Sequence, residues 1–429
     1  MEAGHVTVIA FMLRMGAKKL RMCVVTAGQL STCPRMVKAA DALADDGYAV
    51  TLVSSNGWAD WAAEADRELY ATRNGRWRWV CVNWDQRSAS TTRFRSRIRS
   101  KLAKELVNRF GAKRLPLRIL GDAHIRINRE LLAATVRQES DFIYGGGSAL
   151  VATAAAAAKS NTPFGLDLED FHSAEEVGQI GTVEEIERRL LQRSIFLTAG
   201  SAAIAEGYRA KYKLRVEPIN NTFPLRLLAP SPQVTGEPLK IYWFSQTIGR
   251  GRGLEEAVRA LGLADISAQL YLRGRPASGY VSDLSSLAQT VAPKLALLVL
   301  PPAAPDRMVE LAQGYDVGLS LEQHSPLNRE LCLTNKAFIY ILAGLAVVFT
   351  NTAGQRHIAS ELREGAYIYE QGDVASLAAA LRRWADDRNR LQRAKETSWL
   401  AAQRRWHWEH HEERGRLLSI IRNAIAERS

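Results

Sequence analysis

The chain has 429 residues, of which 47% are hydrophobic and 24% charged, and its formal net charge is +12. This is long enough for two domains of ordinary size and too balanced for a disordered or fibrous protein. The positive balance favours anionic partners, and four scattered cysteines (Cys23, Cys33, Cys81, Cys332) without a CxxC pair suit a reducing, cytoplasmic compartment and offer no metal framework.

The opening "MEAGHVTVIAFML" begins with Glu2 and lacks a basic start, so residues 1–20 read as an extension and no cleaved signal is expected. From Arg21 short apolar strands alternate with helices. "RMCVVTAG" (21–28) is a strand ending in glycine, a helix covers about 34–46, and "YAVTLVSS" is the next strand. Later come "DFIYGGG" (141–147), an Ala-rich helix (148–159), "PFGLDLED" (163–170), a helix over about 174–193, and "IFLTAGS" (195–201). This is βαβ grammar, hence a doubly wound parallel α/β sheet over 21–223. The proline-bearing stretch 224–239 reads as a linker, after which the grammar restarts over 240–390. Candidate strands there are 240–245, 269–274, 295–300, 316–321, 345–350 and 366–370. Residues 391–429 read as a helical tail with a tryptophan-rich stretch. Its "HWEHH" cluster (407–411) is expected to pack rather than bind metal. Two such domains place a cleft between their strand C-termini.

Two segments of the second half suggest an anion site. "FSQTIGRGRGLEEAVRAL" (244–261) is a strand, a glycine-bearing turn with Arg250 and Arg252, and a helix. Backbone N–H groups, the helix dipole and a guanidinium suit a phosphate there. "LTNKAFIYILAGLAVVFTNTAG" (333–354) is too short in its apolar run to cross a bilayer. It reads as a helix from Asn335, a glycine stop and a buried strand. Lys336 at that helix's N-terminus is unfavourable with the dipole unless an anion sits beside it.

Read together, these segments resemble retaining glycosyltransferases of the GT-B fold, the family 4 type. "NKAFIYILAGLAVV" is similar to their "NK-x-F-x-Y-x-x-AGLPVV" segment, 28–55 to their N-terminal glycine loop and first helix, and "DLEDFHSAEE" (167–176) to their acceptor-side "D-x-H-E" segment. "TAGSAAIAEGYRAKY" (198–212) and "INNTFP" (219–224) are similar to the elements that end their first domain. The resemblance spans about 21–390 in the expected order. It implies a sugar transfer from a nucleotide-sugar donor to a glycan or lipid-linked acceptor, without a cofactor or an essential divalent ion. It assigns Arg250, Arg252, Asn335 and Lys336 to the donor diphosphate, and Gly28 and Gln29 to the loop that approaches the donor. Arg273 is placed near the nucleotide base and Glu322 at the cleft, while Asp170 and His172 face the acceptor or the transferred sugar.

Two positions depart from that pattern. Ile339 stands where the family has a ribose-binding glutamate, and Gln246 or Thr247 stands where it has a basic residue. Two alternatives stay open: a nucleotide-sugar 2-epimerase of the same fold, and a non-catalytic scaffold of GT-B shape, which Ile339 suggests. A nucleic-acid binder is not expected, since charge alone suggests it and no binding motif accompanies the charge.

One segment points to a surface. Residues 87–118 hold eleven Lys or Arg against a single acidic residue, Glu105. Phe94, Ile98, Leu102, Leu106 and Phe110 recur every four residues and draw one apolar stripe on a helix. The expectation is peripheral binding of residues 93–110 to an anionic membrane, at the inner face. The alternative is that the stripe packs on the first sheet.

Overall fold

The computed structural model describes residues 19–57, 62–73, 75–85, 90–175, 180–227, 229–232 and 236–427. The expected extension up to residue 18 lies outside the described residues, as do residues 87–89 of the basic segment and residues 228 and 233–235 of the linker.

The first sheet has seven parallel strands: β1 (Arg21–Thr26), β2 (Ala49–Asn56), β3 (Arg78–Asn83), β4 (Phe142–Gly146), β5 (Phe164–Leu168), β6 (Leu197–Ala199) and β7 (Glu217–Pro218). Their order is β3-β2-β1-β4-β5-β6-β7, with Cys23 of β1 opposite Thr51 of β2 and Ile143 of β4. β4 and β5 are buried throughout, as strands covered by helices on both faces must be, and this is why they read as apolar runs. The edge strand β3, half-exposed, is absent from the sequence reading although Trp79, Val80, Cys81 and Val82 are consecutive apolar residues.

The second sheet has six parallel strands: β8 (Leu239–Ile248), β9 (Ala268–Pro276), β10 (Leu295–Leu300), β11 (Val317–Ser320), β12 (Ala346–Thr350) and β13 (Ala366–Tyr369), in the order β10-β9-β8-β11-β12-β13. Strand order reverses between β1 and β4 in one sheet and between β8 and β11 in the other. Crevices open at such switch points.

The C-terminal segment is not one tail. The Arg388–Arg404 helix packs Leu391 and Ala394 into the second domain's core. The Arg416–Ala426 helix packs Leu417, Leu418, Ile421 and Ala424 against Met22, Val24 and Leu43 of the first. Between them Trp408 donates its backbone N–H to Phe223 O at 2.8 Å, tying the returning chain to the outgoing linker. Lys38 fastens the same crossing: its Nζ donates to Asn221 Oδ1 at 2.7 Å and lies over the rings of Phe223 and Trp408. The tryptophans of this segment pack, as expected. Among the described residues no group of three His, Cys, Asp or Glu side chains is arranged to hold a metal ion.

The basic segment forms a helix, Ser90–Phe110, whose burial is the reverse of its apolar pattern. Small residues Ser96, Ser100 and Ala103 face inward, against the Leu117–His124 helix, while the stripe faces out. Phe94 is 65% exposed, Leu102 60%, and Ile98, Leu106 and Phe110 are exposed as well. The stripe therefore does not pack on the sheet. Two of the helix's cations are not exposed: Arg99 turns inward to Glu130 at 2.6 Å and to Asp122 at 3.4 Å, and Arg93 lies over the Trp84 ring. No helix among the described residues is long and apolar enough to cross a membrane.

Candidate functional site

Two cavities lie between the domains. The first, about 610 Å³, is lined from the first domain by the loop after β1 (Gly28, Thr32, Cys33), by Gly147 and Ser148 after β4, and by Asp170 and His172 after β5. The second, about 470 Å³, lies toward the second domain and is lined by Arg252, Arg273, Thr334, Asn335, Lys336 and Ile339. Thr32, Asp170, Gln246 and Thr247 line both, so the cavities adjoin.

The cationic wall of the second cavity is built around one carboxylate. Lys336 begins the Asn335–Leu342 helix, whose remaining residues are apolar and buried and hold its first turn in place. Its Nζ lies 2.6 Å from Glu322 Oε1, just past the end of β11. Thr334, the N-cap, gives its hydroxyl to the same oxygen at 3.1 Å rather than capping the helix, so the first-turn amides have no side-chain acceptor. Arg329 lies 3.7 Å from the other Glu322 oxygen. Burial pushes the Glu322 carboxyl up, but Lys336, Arg329 and Thr334 outweigh it and leave it below the usual carboxylate value. Arg252 reaches the same cavity half-buried, its guanidinium lowered by burial and by Arg329. Three cations thus share one carboxylate, a surplus of positive charge that suits a diphosphate. Arg273, buried, is aimed by Tyr242 OH at 2.8 Å and Pro301 O at 2.9 Å.

The first cavity is mixed in charge. His172 hydrogen-bonds Glu175 through Nδ1, while its Nε2 is buried and unpartnered. Burial alone would lower the imidazole, but the hydrogen bond and charge of Glu175 outweigh it and raise the group to about 9. At neutral pH His172 is an imidazolium with a free Nε2–H. Gly28 is fixed by packing as well as by access, because a Cβ there would sit 2.4 Å from Cys33 Sγ.

Two expected site residues are elsewhere. Gln29 is fully buried and its amide donates to Asp66 at 3.3 Å inside the first domain. Arg250 is exposed, pairs with Asp283 and covers the Tyr280 ring, so it lines neither cavity. In the turn "GRGRG" only Arg252 faces the cleft, because Gly253 takes a left-handed conformation (φ 73°) that reverses the chain into the helix. The sequence reading missed Arg329, Thr334 and His124, which lines the first cavity.

Solved structures with this arrangement are many. Sucrose-phosphate synthase from Thermosynechococcus elongatus superimposes with a TM-score of 0.67 at 12% identity, over 95% of this chain and 100% of that one. HepE from Anabaena, solved in complex with UDP and glucose, gives 0.64 at 16% identity over 95% and 100%. The chain has the GT-B fold. TarM, a further GT-B structure, gives 0.62 at 9% identity, over 95% of this chain and 99% of that one. No family model and no curated protein sequence matches the chain.

Proposed function

We propose that the protein is a glycosyltransferase that moves a sugar from a nucleotide-sugar donor to an acceptor hydroxyl with retention of configuration. The observation that carries this reading is the pair of adjoining cavities: cations and a helix N-terminus on one side, a carboxylate and an imidazolium on the other. The diphosphate would lie against Lys336, Arg252 and the first turn of the Asn335–Leu342 helix, which neutralise charge as the sugar–phosphate bond breaks. Glu322 holds Lys336 in place for that task. Arg273 would meet the nucleotide base, and Ile339, lining the donor cavity where the resembled family has a carboxylate, would leave the ribose without a charged partner. Asp170 would face the attacking hydroxyl, and His172 would donate Nε2–H to a sugar oxygen. Because cationic side chains meet the diphosphate, turnover should persist in EDTA. Turnover should also fall as pH rises through about 9, where His172 loses its proton, and Glu175→Gln should bring that fall toward neutrality.

The test is a thermal-shift panel of UDP-glucose, GDP-mannose, ADP-glucose and TDP-glucose, followed by NMR without acceptor. Specific stabilisation by one donor supports the reading. No shift with any of them favours the scaffold alternative, and release of an epimerised sugar nucleotide favours the epimerase.

The outward face of the Ser90–Phe110 helix supports an anionic membrane surface as the place of work, with a lipid-linked acceptor. Exposed Arg95, Arg97, Lys101, Lys104 and Arg109 accompany the five apolar side chains, a pairing that fits headgroup charge and acyl chains together. The neighbouring Leu117–His124 helix ends at His124 and Ile125, which line the first cavity. An acceptor headgroup could reach that cavity from the same surface. None of the four cysteines is in a disulfide, which suits the cytoplasmic face. Co-sedimentation should recover the protein with anionic vesicles at low salt and lose it at high salt. Equal recovery in the supernatant with anionic and neutral lipid would leave a soluble acceptor instead.

A further inference from the structure

We propose that Asn328 and Cys332, both from the second domain, are positioning residues that hold the Asp170 carboxylate of the first domain toward the acceptor. The proposal rests on the reading of Asp170 as the acceptor-side carboxylate. Asn328, on the short Leu327–Leu331 helix, donates Nδ2–H to Asp170 Oδ1 at 3.1 Å. Its own oxygen accepts the Phe171 backbone N–H at 2.8 Å, which fixes the amide with its nitrogen toward Asp170. Cys332 Sγ lies 3.0 Å from the same Asp170 oxygen and 3.2 Å from Asn328 Oδ1. A thiol has one proton to give, and the charged oxygen is both nearer and the stronger acceptor. Burial and then the Asp170 charge raise the thiol well above its usual value, so it stays protonated and able to donate.

Both contacts take Oδ1. That leaves Oδ2 for a hydroxyl at the junction of the two cavities, where Asp170 lines each. The same chain turn reaches the donor side, since Arg329 lies against the Glu322 that holds Lys336. It is also fastened to the first domain by Ser201, whose hydroxyl donates to Leu331 O at 2.8 Å. Separating the domains would remove both donors from Asp170 at once. The carboxylate is therefore oriented only while the two domains stay in contact at this turn.

The test uses the full chain and the sugar nucleotide that stabilises it most in the panel above, with turnover read as nucleoside diphosphate released while the sugar passes to acceptor or water. Asn328→Ala and Cys332→Ala should each lower kcat about tenfold or more, the usual consequence of losing a hydrogen bond to a charged group. Donor Kd should stay within about twofold, because neither residue lines the donor cavity. Cys332→Ser keeps a donor and should recover most of the lost kcat. Wild-type kcat in the double alanine variant, with Asp170→Asn inactive, overturns the positioning role alone. Full activity of Asp170→Asn overturns the acceptor-side reading beneath it. Parallel loss of donor affinity and kcat, unrelieved by serine, marks a purely structural role and also overturns the proposal.

Discussion

Two helices of this molecule carry conspicuous apolar runs, and they end in opposite environments. Asn335–Leu342 is buried from Lys336 to its last residue, beneath β11 and β12. Ser90–Phe110 buries only its small residues and turns its large apolar side chains outward. A periodic stripe shows which side chains share a face, but what covers that face is decided by the rest of the fold. The distinguishing sign is composition around the stripe. The buried helix has one cation, at its mouth, whereas the exposed one carries cations along its length with no matching acids except Glu105.

Replacing Arg95, Arg97, Lys101, Lys104 and Arg109 by glutamine should cost vesicle binding the most, at about 1 kcal/mol per residue. Co-sedimentation measures it, and unchanged binding would remove the outer helix from any lipid role. In the inner helix, Ile341→Ala should destabilise the fold by about 2–5 kcal/mol, the range for emptying a fully buried aliphatic site. Denaturant unfolding reads that directly. Lys336→Ala should leave the fold intact and weaken donor binding by about 1.5–3 kcal/mol. Titration with the best-stabilising sugar nucleotide checks it, and unchanged affinity would show that the lysine serves Glu322 alone. The smallest effect belongs to the outer helix again. Leu102→Ser, at an exposed site, should change stability by no more than ~0.5 kcal/mol, and a loss like that of Ile341→Ala would mean the stripe is covered after all.

Most of the architecture was legible because buried parallel strands are continuous apolar runs and glycines mark their ends. β3 escaped although "RWVCVN" holds four consecutive apolar residues, because arginine and asparagine rather than a glycine bound the run. The donor wall was half-legible: Lys336 and Arg252 stood out as cations at helix starts. Gln29 and Arg250 were misassigned because adjacent residues in a turn point in different directions, and their partners, Asp66 and Asp283, are more than thirty residues away. Asn328 and Cys332 gave no signal at all. Their meaning depends on Asp170, 158 and 162 positions earlier and in the other domain.

The closing Arg416–Ala426 helix has a consequence for how the protein is made. Ribosomes deliver the chain from its N-terminus, and a first domain normally folds as soon as it emerges. Here Met22, Val24 and Leu43 share a core with Leu417, Leu418 and Ile421, which are translated nearly four hundred positions later. Until then the nascent first domain displays an uncovered apolar face for the whole synthesis of the second. Removing the Arg416–Ala426 helix would thus injure the domain made earliest.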